Sequence, residues 1–65
     1  MIRLTDLGTS GIMRQPVDVN EKEIVSLSAD PVEASRTVVT MFGGTWFLVS
    51  ESIPEIETLI ELAGA

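Results

Sequence analysis

Apolar and polar positions alternate from the start of the chain. In Ile2–Leu7, Ile2 and Leu4 fall on one side and Arg3 and Thr5 on the other, the period-2 pattern of a half-buried strand. Gly8-Thr9-Ser10-Gly11 reads as a loop, and Ile12–Val19 as a second strand. Pro16 cannot donate a ladder hydrogen bond, so this strand belongs at an edge or is broken there. Asn20–Glu23 is polar and predicts a turn or a short helical turn. Ile24–Ala29 alternates again, with Val25, Leu27 and Ala29 expected on one face and Ile24, Ser26 and Ser28 on the other. Asp30–Ser35 interrupts the pattern, opened by an Asp-Pro turn signal.

The densest apolar stretch follows. Arg36–Phe42 and Thr45–Ser50 flank Gly43-Gly44, and two glycines between β-rich runs predict a hairpin with a two-residue turn. That register pairs Met41 with Trp46 and Val39 with Leu48. It places Val39, Met41, Trp46 and Leu48 on one face, and Val38, Phe42, Phe47 and Val49 on the other. Both faces would then be apolar.

A helix comes directly after. Ser52 with Glu55 three residues on is a capping box, and Pro54 sits in the first turn, where its missing N–H does no harm. At ~100° per residue Ile53, Ile56, Leu59, Ile60 and Ala63 form one stripe, with Glu57, Thr58 and Glu61 opposite. Leu62 lies off the stripe and is free to meet something other than the sheet. Gly64 is placed to end the helix in a left-handed conformation. The expected fold is α+β: one domain over residues 1–65, a small antiparallel β-meander of four to five strands with one C-terminal α-helix.

Composition narrows the functions. Sixty-five residues bury only about 60% of their unfolded surface, which makes such a domain marginal alone. Small scaffolds gain stability from disulfides, a metal or a partner. Without Cys or His, disulfides are excluded and a transition-metal site is disfavoured, which points to a partner. Ten acids against Arg3, Arg14, Lys22 and Arg36 give a net charge of −6. Direct nucleic-acid binding, which needs a basic stripe, is disfavoured. No stretch is apolar enough to span a membrane, and the N-terminus lacks a signal-peptide layout, so a cytoplasmic protein is expected.

Catalytic readings fare poorly. The familiar nucleophile–base triads need His or Cys, and Lys22, the only lysine, stands in a polar turn. Glu57 and Glu61 share a helix face, but the pattern assigns that face to solvent. Gly8–Gly11 lacks the rest of a phosphate loop, and no twelve-residue calcium loop is present. No catalytic residue, cofactor or metal is expected. Aromatic residues anchor protein contacts; Phe42, Trp46, Met41, Leu48 and Leu62 are the candidate interface.

The residues also resemble a family. An opening strand like Met1-Ile-Arg-Leu-Thr-x-Leu7 is followed by Asn20, Ile24 and Leu27. Then come Thr37, Val38, Val39, Thr40, Met41, Gly44, Phe47, Val49, Glu51, Ser52 and Glu55. Together these resemble the small flagellar-operon FlbD family over most of the chain. The Gly8–Pro16 loop is longer here, Asp30–Arg36 carries an insertion, and Phe42 and Trp46 replace polar positions. The strand–turn–strand–helix end also resembles the tail of LytTR-type DNA-binding domains, without their basic character. The FlbD resemblance implies a small non-enzymatic protein.

The expected function is therefore a non-catalytic interaction or assembly module, self-associating as a homo-oligomer through an apolar hairpin face. The alternative is a phage-type acidic protein, acting as a polyanion mimic that inhibits a host nucleic-acid-binding protein or as a structural subunit of the virion. The two readings differ in where Asp18, Glu21, Glu23, Asp30 and Glu33 lie: one dense patch favours mimicry, and scatter favours assembly.

Overall fold

A computed structural model describes residues 1–8 and 13–64. Five antiparallel strands are followed by one C-terminal helix: β1 (Ile2–Asp6), β2 (Gln15–Val19), β3 (Ile24–Ala29), β4 (Thr37–Met41), β5 (Trp46–Val49) and α1 (Ile53–Gly64). The sheet order is β2-β1-β5-β4-β3. Consecutive strands pair, except that β2 and β3 end on opposite edges. A single 3₁₀ turn, Glu21–Glu23, joins them, with the Asn20 side chain accepting from the Lys22 N–H at 3.1 Å. The two halves of the sheet meet where β1 lies against β5, at Asp6 opposite Val49. The Leu7 N–H donates to the Leu48 carbonyl there, and the Ser50 N–H to the Thr5 carbonyl.

The predicted second strand is shorter than its pattern suggested, and Ile12 lies outside the described residues, as does most of the Gly8–Gly11 loop. Pro16 is tolerated because β2 is an edge strand. In β3 a bulge between Ile24 and Ser26 changes the alternation. The extra residue, Val25, is exposed, and Ile24 joins Leu27 against the core instead of lying opposite it.

The hairpin departs from expectation by one residue. Thr37 pairs with Val49, Val38 with Leu48, Val39 with Phe47 and Thr40 with Trp46. The Met41 N–H donates to the Thr45 carbonyl at 2.7 Å, which leaves a three-residue loop, Phe42-Gly43-Gly44. Within it the Gly44 N–H returns to the Met41 carbonyl, and Gly43 and Gly44 have φ of 98° and 95°. Positive φ at the third turn position, Gly43, is what a type II turn requires, Gly44 follows it with positive φ, and Phe42 is drawn into the loop with them. Because side chains alternate with period 2, that single residue moves all of β5 to the other side. Phe47 and Val49 join Val39 and Met41 facing the helix. Trp46 and Leu48 join Val38 and Thr40 on the opposite face.

The core follows from this register. Ile2, Leu4, Val19, Val39, Met41, Val49 and Ile56 are buried together, with Ile24, Leu27, Phe47, Leu59 and Ile60 packed around them. α1 packs on β1 and β3 and covers this face. Its start is the expected capping box: the Ser52 N–H donates to Glu55 Oε1 at 3.1 Å, and the Glu55 N–H donates to Ser52 Oγ at 3.4 Å. Gly64 remains the last helical residue and does not take positive φ, contrary to the expected left-handed ending.

Candidate interaction surface

Antiparallel partners share a face of a sheet, so the pairings define the outer side of the β3–β4–β5 half as two rows. One is Ser26, Thr40 and Trp46; the other is Ser28, Val38 and Leu48. Not one of these six residues is charged, in a chain with a net charge of −6. Trp46 is 54% exposed, while Leu48 and Val38 are half-buried. At the turn beyond them Phe42 is 82% exposed. A groove of about 310 Å³ runs beside Phe42, lined by Met1, Val19, Met41, Phe47 and neighbouring polar residues.

The five candidate interface residues therefore do not form one surface. Trp46 and Leu48 lie together on the outer face, whereas Phe42 lines a groove with Val19, Met41 and Phe47 of the helix-facing side. Met41, expected beside Trp46, is instead a core residue at 8% exposure, because the longer turn reverses the face of one strand relative to the other. Leu62 is 68% exposed on α1, which packs on the other side of the sheet.

Asp18, Glu21 and Glu23 form one group of acids, and Asp30 and Glu33 another. Asp18 accepts from Arg3 Nε at 3.0 Å, and this hydrogen bond, with the guanidinium's charge, holds its carboxyl below the usual range and raises Arg3. The Glu21 carboxyl is also lowered, first by its own backbone N–H and then by the Met1 ammonium 3.0 Å away. Asp30 meets Arg36 Nη2 at 2.6 Å and accepts the Val32 N–H, closing the β3–β4 connection. Asp30 and Glu33 lie past the end of β3, a strand about 20 Å long, whereas Glu23 precedes its start. No dense row with the spacing of phosphates results. Glu57 and Glu61 stand on the exposed side of α1. Among the described residues no three acidic side chains come together as a metal site, and no helix is long and apolar enough to cross a membrane.

Glu51 ties the sheet together. Its carboxylate accepts the Thr5 N–H at 2.9 Å and the Thr5 hydroxyl at 3.0 Å. Its carbonyl accepts the hydroxyl of Thr37 at 2.7 Å, which satisfies a polar side chain buried to 0% exposure. The partners are 46 and 14 residues away, so no local pattern signals the network.

Comparison with protein families, with curated proteins and with solved structures finds no match for this chain.

Proposed function

We propose that this protein is a non-catalytic assembly module that self-associates through the outer face of β3–β4–β5. The observation that carries this reading is the absence of charge from the rows Ser26–Thr40–Trp46 and Ser28–Val38–Leu48. Two copies carrying −6 each repel through almost any other contact, and this face lets them meet without opposing carboxylates. Trp46 supplies the aromatic anchor that such contacts favour, and a small domain gains stability from a partner subunit. The division of the acids into two separate groups and their pairing with Arg3, Arg36 and the Met1 ammonium weigh against polyanion mimicry. The FlbD resemblance adds the expectation of a small, non-enzymatic protein, working in the cytoplasm or, for a phage relative, in a virion.

Light scattering across a dilution series tests the reading. Wild type should pass from monomer to oligomer, and Trp46→Lys should remain monomeric while keeping its circular dichroism spectrum. A wild type that stays monomeric at the highest concentrations overturns the proposal. Leu62→Lys serves as the control: loss of association there, but not in Trp46→Lys, would move the contact to the helix.

A further inference from the structure

The two edges of the sheet differ in a way that points to a second binding site. The β2 edge is blunted by Pro16 and by the Arg3–Asp18 pair beside it, the usual protections against strand addition. The β3 edge, Ile24-Val25-Ser26-Leu27-Ser28-Ala29, has no proline and no charge, and its one irregularity is the bulge at Val25. Among the described residues no strand pairs with its outer side.

Its backbone is set to receive one. The Asp30 N–H donates to the Arg36 carbonyl, and antiparallel ladders alternate. Asp30, Ser28 and Ser26 therefore turn their amides and carbonyls toward β4, while Leu27 and Ala29 turn theirs outward. Between this strand and α1 lies a groove of about 590 Å³, lined by Leu27, Pro54, Glu57, Ile60 and Glu61. Its floor is aliphatic and its helical rim carries two carboxylates. Glu57 and Glu61 are one helical turn apart, about 6 Å along the axis. Alternate residues of an extended chain repeat at about 6.7 Å, a spacing close to that of the two acids.

We infer that the β3 edge and the Leu27–Ile60 groove bind an extended segment of a partner protein by strand addition. The segment carries Lys or Arg at alternate positions, with β-branched residues between. The long cationic stems cover Leu27 and Ile60 while their charged ends reach Glu57 and Glu61. The intervening side chains fall on the face of Ser26, Ser28 and Val38, which asks only for small uncharged or β-branched groups. A second copy of this chain fits less well. Its β3 has no cation to offer, and two-fold pairing of β3 strands brings a second acidic helix alongside the first.

The test uses a seven-residue peptide alternating lysine and valine, with a glutamate–valine peptide as control, followed by amide NMR shifts of the labelled protein. It is run on wild type and on Trp46→Lys, so that failure of self-association leaves it readable. The lysine peptide should shift Leu27, Ala29 and the α1 residues facing them in both proteins, and the glutamate peptide should not bind. Ala29→Pro removes an outward N–H only and should weaken binding at least tenfold with the fold intact. The double change Glu57→Lys/Glu61→Lys, at exposed positions, should reverse the preference between the two peptides. Shifts centred on Asp18, Glu21 and Glu23 instead, or full binding to Ala29→Pro, would overturn the inference. So would loss of self-association in Ala29→Pro, which would assign the edge to a second copy.

Discussion

At the scale of single residues, the molecule depends on a few polar contacts that join distant segments. Glu51 holds Thr5 on β1 through two bonds and Thr37 on β4 through its carbonyl. Replacing Glu51 with Ala leaves the Thr5 N–H without its part-buried acceptor, and should lower the unfolding free energy by about 1–3 kcal/mol, read from urea midpoints. Ser52→Ala removes the cap of α1 and should cost about 1 kcal/mol by the same measurement; an unchanged midpoint would mean that the cap does not support the helix. The Asp18–Arg3 pair makes a pH prediction. The folded Asp18 carboxyl is depressed, so its contribution is present above the unfolded pKa and is lost as pH falls through the folded one. Between about pH 6 and about pH 2, wild type should therefore lose slightly more stability than Asp18→Asn. The difference is small because both side chains are exposed and water screens them.

At the scale of elements, the β4–β5 turn decides more than any other connection. A two-residue loop and the observed three-residue loop use the same Gly43-Gly44 pair, and both satisfy the alternation of each strand taken alone. They differ in which strand faces combine. The observed loop sends Thr37, Val39, Met41, Phe47 and Val49 to the helix. Shortening the loop by deleting Gly44 forces a choice between a strained turn and a β5 that offers Trp46 and Leu48 to the core in place of Phe47 and Val49. Either outcome should broaden or abolish the cooperative thermal transition, followed by near-ultraviolet circular dichroism. Gly44→Ala keeps the loop length and meets no neighbour within 4 Å, but it places a Cβ at φ of 95°. It should cost about 1–2 kcal/mol while leaving the outer face and its association unchanged.

At the scale of the whole molecule, charge and apolar surface divide between different sides. Acids occupy β1, β2, the 3₁₀ turn, the β3–β4 connection and α1; the rows of β3–β4–β5 carry none, and Asp6 borders them beside Trp46 and Leu48. The self-association proposed for that face would still bring two net negative bodies together. It should therefore tighten as salt rises from low to physiological ionic strength, where the screening length falls to about 8 Å. Binding of a basic segment at the β3 edge should weaken over the same range. Sedimentation and peptide titration in matched buffers separate the two surfaces by the opposite signs of their salt dependence.

The sequence by itself determined what local periodicity and local chemistry control. Strand alternation marked β1, β3, β4 and β5, the i to i+3 relation of Ser52 and Glu55 marked the start of α1, and Pro16 marked an edge. These features need only near neighbours along the chain. The tertiary structure decided everything that depends on relative phase. Whether Phe42 belongs to the strand or the turn, whether Val25 is absorbed into a bulge, and therefore whether Met41 or Trp46 enters the core, are settled by packing against Ile56, Leu59 and Ile60. A period-2 strand is symmetric between its two faces when both are apolar, so only burial against a second element can break the tie. The Glu51 contacts and the β3 edge, open among the described residues, belong to the same class, since they exist only once residues far apart in sequence are brought together.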